Sequence, residues 1–166
     1  MGKAAAGVRK HQQTDPSSLD GRASEAGGGL DHGLLPDLVG YVLRRAQLAV
    51  FDDFIRSCDG HGLRPAQFSA LVLIEANPGR SQREIAAALG IQRPNFVAMM
   101  DGFEQRGLAR RRRSETDRRS HALELTAEGR ALLARARATV LEHEARITAR
   151  MTESEKAELI RLLGLL

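Results

Sequence analysis

The stretch Ser81-Gln82-Arg83-Glu84-Ile85-Ala86-Ala87-Ala88-Leu89-Gly90-Ile91-Gln92-Arg93-Pro94-Asn95 holds a helix start, a tight stop and a second helix start. Ser81 and Glu84 stand at capping-box spacing: the serine oxygen accepts from the glutamate amide, and the glutamate side chain reaches back to the serine amide. The box predicts a short helix over Gln82 to Leu89. Gly90 closes it, because glycine takes the left-handed backbone of a tight turn without steric cost. A further helix is predicted from about Gln92–Pro94 to Arg106, with proline in its first turn and Gly107 as its stop. Two short helices joined this tightly form a helix-turn-helix.

Immediately downstream the period changes. Leu108 to Arg113 and His121 to Leu125 read as strands, the second alternating His121, Leu123 and Leu125 against Ala122 and Glu124, around the polar turn Ser114 to Ser120. Seven arginines lie between Arg106 and Arg119, against only Glu115 and Asp117. So basic a ribbon is expected to hold together poorly until something neutralises it. DNA phosphates would do so, and a narrow minor groove attracts arginine at a hairpin tip. The predicted class is mainly α with a small β-hairpin, a winged helix-turn-helix whose second helix fits the ~12 Å major groove.

The flanks read as helices with apolar faces to cover. From Leu34 to Ser57 apolar residues recur on two sides, as in a helix sandwiched between its own domain and a partner subunit. Another helix is predicted from Pro65 to a stop at Asn77-Pro78-Gly79. Thr126 caps a long helix over Ala127 to about Arg150, and a second capping box, Thr152 to Glu155, opens a last helix ending in Leu159, Ile160, Leu162, Leu163, Leu165 and Leu166. So apolar an ending calls for a partner subunit. Residues 1–33 carry Gly27-Gly28-Gly29 and little to bury, and are expected to form a disordered arm. The predicted organisation is therefore an arm (1–33), a helical dimerisation region (34–62 and 126–166) and a winged helix-turn-helix (63–125).

Composition sets bounds on function. A length of 166 residues suits one folding unit. Lysine occurs only at Lys3, Lys10 and Lys156, so the positive charge is arginine's, whose planar fork suits phosphate and guanine edges. With a pI near 10.0 this favours an anionic partner, although a GC-rich genome alone would also write Arg for Lys. The lone Cys58 excludes an internal disulfide and a thiolate metal cluster, and Asp59 beside it disfavours a thiolate, so its role is read as structural. Residues 1–33 lack the apolar core of a secretory signal, and no apolar run approaches the ~20 residues that span a bilayer. A cytoplasmic protein is expected, with no cofactor, no metal and no membrane partner.

Taken together, Leu63 to Phe68, Ser81 to Ala86, Arg93-Pro94-Asn95, Glu104 to Leu108, Asp117 to Ser120 and Leu125-Thr126-Ala127-Glu128-Gly129 resemble the MarR family of transcriptional regulators over about Leu34 to Leu166. The resemblance implies a homodimer on double-stranded DNA, each subunit placing a recognition helix in the major groove and a wing in the minor groove. It implies that Arg119 is the wing-tip arginine, that Asp117 fixes the hairpin by pairing with a nearby arginine, and that Gln92, Arg93, Pro94 and Asn95 open the recognition helix. Ser81, Gln82, Val97, Ala98, Arg112 and Arg118 complete the expected DNA-contacting set. This chain departs from the family at Val97, Ala98 and Gly102, where polar or basic residues are common, and at Gln92, where a capping serine is usual. Val97 and Ala98 suit thymine methyls.

The resemblance also implies a small-molecule effector, anionic and often aromatic. Phe51, Phe54 and Phe68 would supply an apolar wall, Arg44 and Arg45 an anion site, and His61 a hydrogen bond; ordinary core and surface roles are the competing reading for each. Gly40 to Gln47 is similar to the opening helix of a branch that controls hydroxycinnamate breakdown and senses aromatic acyl-CoA thioesters such as p-coumaroyl-CoA. Enzymatic chemistry has no sequence support: there is no phosphate loop, nucleophile elbow or metal-spaced cluster, and the five histidines are scattered. The apolar recognition face keeps one rival open, an architectural DNA-binding protein without a ligand.

Overall fold

The computed structural model describes residues 29–113 and 121–166, apart from the side chains of Arg113 and His121. Most of the expected arm (1–33) and the turn bearing Asp117, Arg118 and Arg119 lie outside the described residues. The chain forms two compact units, Met1–Arg45 and Ala46–Leu166, where its length suggests one. No described residue of the first unit is buried.

In the first unit Leu35–Asp37 form a 3-10 turn with Pro36 near its start, and Leu38 is extended. Helix α1 therefore begins at Val39 rather than Leu34, and runs to Cys58 across the boundary between the units. The hydroxyl of Tyr41 lies 3.1 Å from His32 Nδ1.

The second unit holds a 3-10 turn (Asp59–His61), α2 (Pro65–Ala76), α3 (Gln82–Ala88), α4 (Arg93–Gln105), β1 (Ala109–Arg113), β2 (His121–Leu125), α5 (Ala127–Ile147) and α6 (Glu153–Leu163). Each capping box forms as its sequence predicts. Ser81 accepts from the Glu84 amide while Glu84 accepts from the Ser81 amide, and Thr152 and Glu155 do the same. Gly90, at φ 64°, makes the turn between α3 and α4, and Gly107, at φ 65°, the turn from α4 into the hairpin.

The hairpin is antiparallel, with Ala109 opposite Leu125 and Arg111 opposite Leu123. A third short segment joins it. Gly79 donates to the Leu123 carbonyl, Leu123 donates to the Arg80 carbonyl, and Ser81 bridges Ala122. The core beneath is built from Leu71 and Ile74 of α2, Ile85 of α3, Phe96, Met100 and Phe103 of α4, Leu123 and Leu125 of β2, and Leu133 and Ala136 of α5. Large apolar side chains like these contribute about 1.5–3 kcal/mol each when fully buried, so the core fixes the angle between α3 and α4 as well as the fold.

The start of α5 is welded to the end of α4. Thr126 accepts from the Gly129 amide and donates to the Gly107 carbonyl at 2.6 Å, while its own amide donates to the Leu108 carbonyl. Gly129 is a packing requirement, since a Cβ there would lie 1.9 Å from the Leu108 oxygen.

Candidate nucleic-acid interface and effector site

Helix α4 presents its first turn outward. Gln92, Arg93, Pro94 and Asn95 are all exposed, as are Val97 and Ala98, while Phe96, Met100 and Phe103 anchor the opposite face. No side chain caps α4: Gln92 occupies the N-cap position and leaves the first-turn amides to other partners. Such amides, with the positive end of the helix dipole, suit a phosphate. Ser81 and Gln82, at the start of α3, are half-buried, and the Ser81 hydroxyl is engaged in its capping box. Gly102 sits in open space, with nothing a Cβ would meet within 4 Å.

The arginines of the hairpin divide by function. Arg110 and Arg112 are exposed and both pair with Glu124, at 3.0 and 3.1 Å, and these partners hold the Glu124 carboxyl below the usual carboxylate range. Arg111 points the other way. Its guanidinium meets Asp101 at 2.7 Å, Glu104, and the carbonyl of Val97 at 3.2 Å. Arg106 turns aside altogether, donating to the carbonyls of His61 and Gly62. Carboxylates neutralise the described part of the ribbon only in part: exposed Arg110 and Arg112 share the one carboxylate of Glu124, whereas Arg111 is held by Asp101 and Glu104 of α4. Strand alternation held the signal, since Arg111 shares a face with buried Ala109 while Arg110 and Arg112 share the other.

Of the expected effector residues, the second unit brings some together. Phe54 is buried, packing edge-on to Phe68 at 6.1 Å and to His143 at 5.4 Å. His61 shares a 2.9 Å hydrogen bond with Thr139 of α5. Phe51 is exposed and has no place in that aromatic cluster. Arg44 and Arg45 are exposed residues of the first unit. A cleft of about 260 Å³ opens nearby, lined by Ile55, Asp59, Gly62, Leu63, Arg64 and Gln67.

Sequence reasoning missed the pair His143 and Asp53. His143 is 4% exposed and its Nδ1 lies 2.7 Å from Asp53 Oδ2, which also meets Arg146 at 3.0 Å. The hydrogen bond from His143 lowers the Asp53 carboxyl pKa despite its desolvation. No local pattern joins residues so far apart in the chain. Cys58 is buried, and burial pushes its thiol up, in keeping with a structural role.

A helix-turn-helix with an outward second helix, followed by an arginine-bearing hairpin, defines a winged helix-turn-helix DNA-binding regulator. A family model described as the MarR family matches residues 61–120. A Thauera aromatica protein named as transcriptional regulator for the hcr operon is 36% identical over 81% of each chain. Two solved structures of the transcriptional repressor CouR are similar. One, bound to a 23-mer DNA duplex, has a TM-score of 0.79 and 52% identity over 82% of this chain and 96% of that one. The other, bound to p-coumaroyl-CoA, has a TM-score of 0.76 and 51% identity over 81% and 95%. The chain belongs to the MarR family of transcriptional regulators.

Proposed function

We propose that this protein is a ligand-responsive transcriptional repressor that binds operator DNA as a homodimer and is released by an aromatic acid or its coenzyme A thioester, with p-coumaroyl-CoA the first candidate. The carrying observation is the exposed turn Arg93-Pro94-Asn95 beside an arginine-bearing hairpin, in a chain half identical to a repressor solved on DNA. Residues 63–125 then form the DNA-binding part, and 34–62 with 126–166 the dimerisation region. The expected DNA contacts are Ser81, Gln82, Gln92, Arg93, Pro94, Asn95, Val97, Ala98, Arg112, Asp117, Arg118 and Arg119.

The expected effector contacts are Phe51, Phe54, Phe68 and His61, of which Phe54 and Phe68 pack together, and, for an anionic group, Arg44 and Arg45 of the first unit. Release is a population shift. Half-sites ~34 Å apart demand one spacing of the two recognition helices, and the ligand favours another. A coupling of ~1–3 kcal/mol would weaken DNA binding by about 5- to 150-fold. Among the described residues no helix is long and apolar enough to cross a membrane, and we read the chain as a cytoplasmic regulator rather than an enzyme.

The test is a mobility shift on DNA upstream of the protein's own gene and on scrambled DNA at one stated salt, with Arg119→Ala and p-coumaroyl-CoA as further arms. A preference of about 10³-fold for the upstream DNA, weakened by the substitution and by the thioester, is the expected result. Equal binding to both DNAs would favour the architectural reading, for which the small apolar face of Val97 and Ala98 speaks. No heat in a calorimetric titration at high micromolar p-coumaroyl-CoA would remove that effector.

A further inference from the structure

The inward turn of Arg111 assigns it a task distinct from that of its neighbours. Its side chain is 17% exposed, against 58% for Arg110 and 53% for Arg112. Its own amide donates to Glu104 Oε1 at 2.8 Å, and Nη1 donates to the other oxygen of the same carboxylate. Nη2 meets Asp101 Oδ1 at 2.7 Å, the Val97 carbonyl at 3.2 Å and, more distantly, Gln82 Oε1 of α3 at 3.4 Å. Val97, Asp101 and Glu104 are spaced i, i+4, i+7 along α4, so one planar fork runs along two turns of the recognition helix. A helix lying in a groove tolerates little rotation, because its side chains reach base edges only at one angle.

We propose that Arg111 is a positioning residue for operator reading: it locks β1 to α4, so that hairpin and recognition helix enter DNA as one rigid body, and it shields Asp101 and Glu104 from the phosphates. The sequence of β1 makes the assignment economical. Arg110 and Arg112 are placed for solvent or phosphate, and the arginine between them is held by the protein itself. Lysine would keep the charge at residue 111 but has no planar fork with which to hold a carbonyl and two carboxylates at once. Arg111→Lys therefore separates position from charge. A phosphate-contacting arginine behaves otherwise, since its loss weakens all sequences alike and leaves their ratio intact.

This inference rests on the operator reading, and the experiment separates the two. Wild type, Arg111→Lys and Arg111→Gln are titrated on upstream and scrambled DNA across a salt series, each variant first checked for cooperative thermal unfolding. Arg111→Lys is expected to keep its affinity for scrambled DNA and its salt slope, and to lose about 10-fold or more of the upstream-to-scrambled ratio, a span of a few mismatched base pairs or fewer. Arg111→Gln loses that ratio and general affinity as well. Should Arg111→Gln fail to fold, the double substitution Asp101→Asn with Glu104→Gln, which leaves the arginine and removes its carboxylates, is expected to lose the ratio in the same way. A wild-type ratio near one overturns the operator reading and this inference with it. A high wild-type ratio that Arg111→Lys retains overturns this inference alone.

Discussion

At Gly129 an alanine would place its Cβ inside the Leu108 carbonyl, whereas at Gly102, also within a helix, it would meet nothing. The same substitution should therefore act with opposite sign at the two sites. Gly102→Ala gains the ordinary helix preference of about 0.5–1 kcal/mol and is expected to raise the thermal midpoint by a few degrees. Gly129→Ala must push α5 off the end of α4 and is expected to lower it by more than that. Thermal unfolding followed by circular dichroism checks both, and equal shifts of one sign would contradict the geometry. The glycine of Leu125-Thr126-Ala127-Glu128-Gly129 is legible in sequence only as part of a family pattern, because its cause, a carbonyl from the preceding turn, is tertiary.

The elements themselves were largely readable. Capping boxes, glycine stops and the change of period from helix to strand are local signals, and they place α2 to α6 and both strands within a few residues. Pro36 and the extended Leu38 shorten α1, α5 stops at Ile147, and the run of arginines in β1 divides by strand alternation into two faces where charge alone suggests one. The clamp between α1 and α5, formed by Asp53, His143 and Arg146, had no local signal at all. Its pH behaviour follows from the direction of the Asp53 shift. Hydrogen bonding from His143 lowers that carboxyl in the folded chain below its ordinary 3.8, so its contribution is fully present above that value and is lost as pH falls through the folded one. Asp53→Asn is expected to lower the thermal midpoint near pH 6, and the gap from wild type should close as the pH is taken below about 4. A gap that stays constant to pH 3 would show that the carboxylate charge adds nothing to the clamp.

For the whole molecule, the most telling feature is what stays uncovered. Leu159, Ile160, Leu162, Leu163, Leu165 and Leu166 are exposed at the end of the chain, while the first unit separately exposes Leu38, Val39, Val42 and Leu43. Two such apolar faces on one small chain exceed what a monomer keeps in water. The proposed homodimer would cover them. Leu162→Asp is expected to convert a dimer of 18.1 kDa chains into monomers in sedimentation equilibrium, with the unfolding of the second unit's core little changed, and to abolish tight operator binding because the paired half-sites are no longer read together. Retained dimers would place the interface elsewhere.

The small sheet has a consequence for solubility in the free protein. A two-stranded ribbon has two edges on which a foreign strand could grow. One edge, along β2, is occupied by residues 79–81, which take up the Leu123 amide and carbonyl. The other runs along β1, where the exposed Arg110 and Arg112 set like charge against a second copy of the same strand. The residues that would draw the hairpin to nucleic acid thus also protect it from amyloid-like pairing while no nucleic acid is bound.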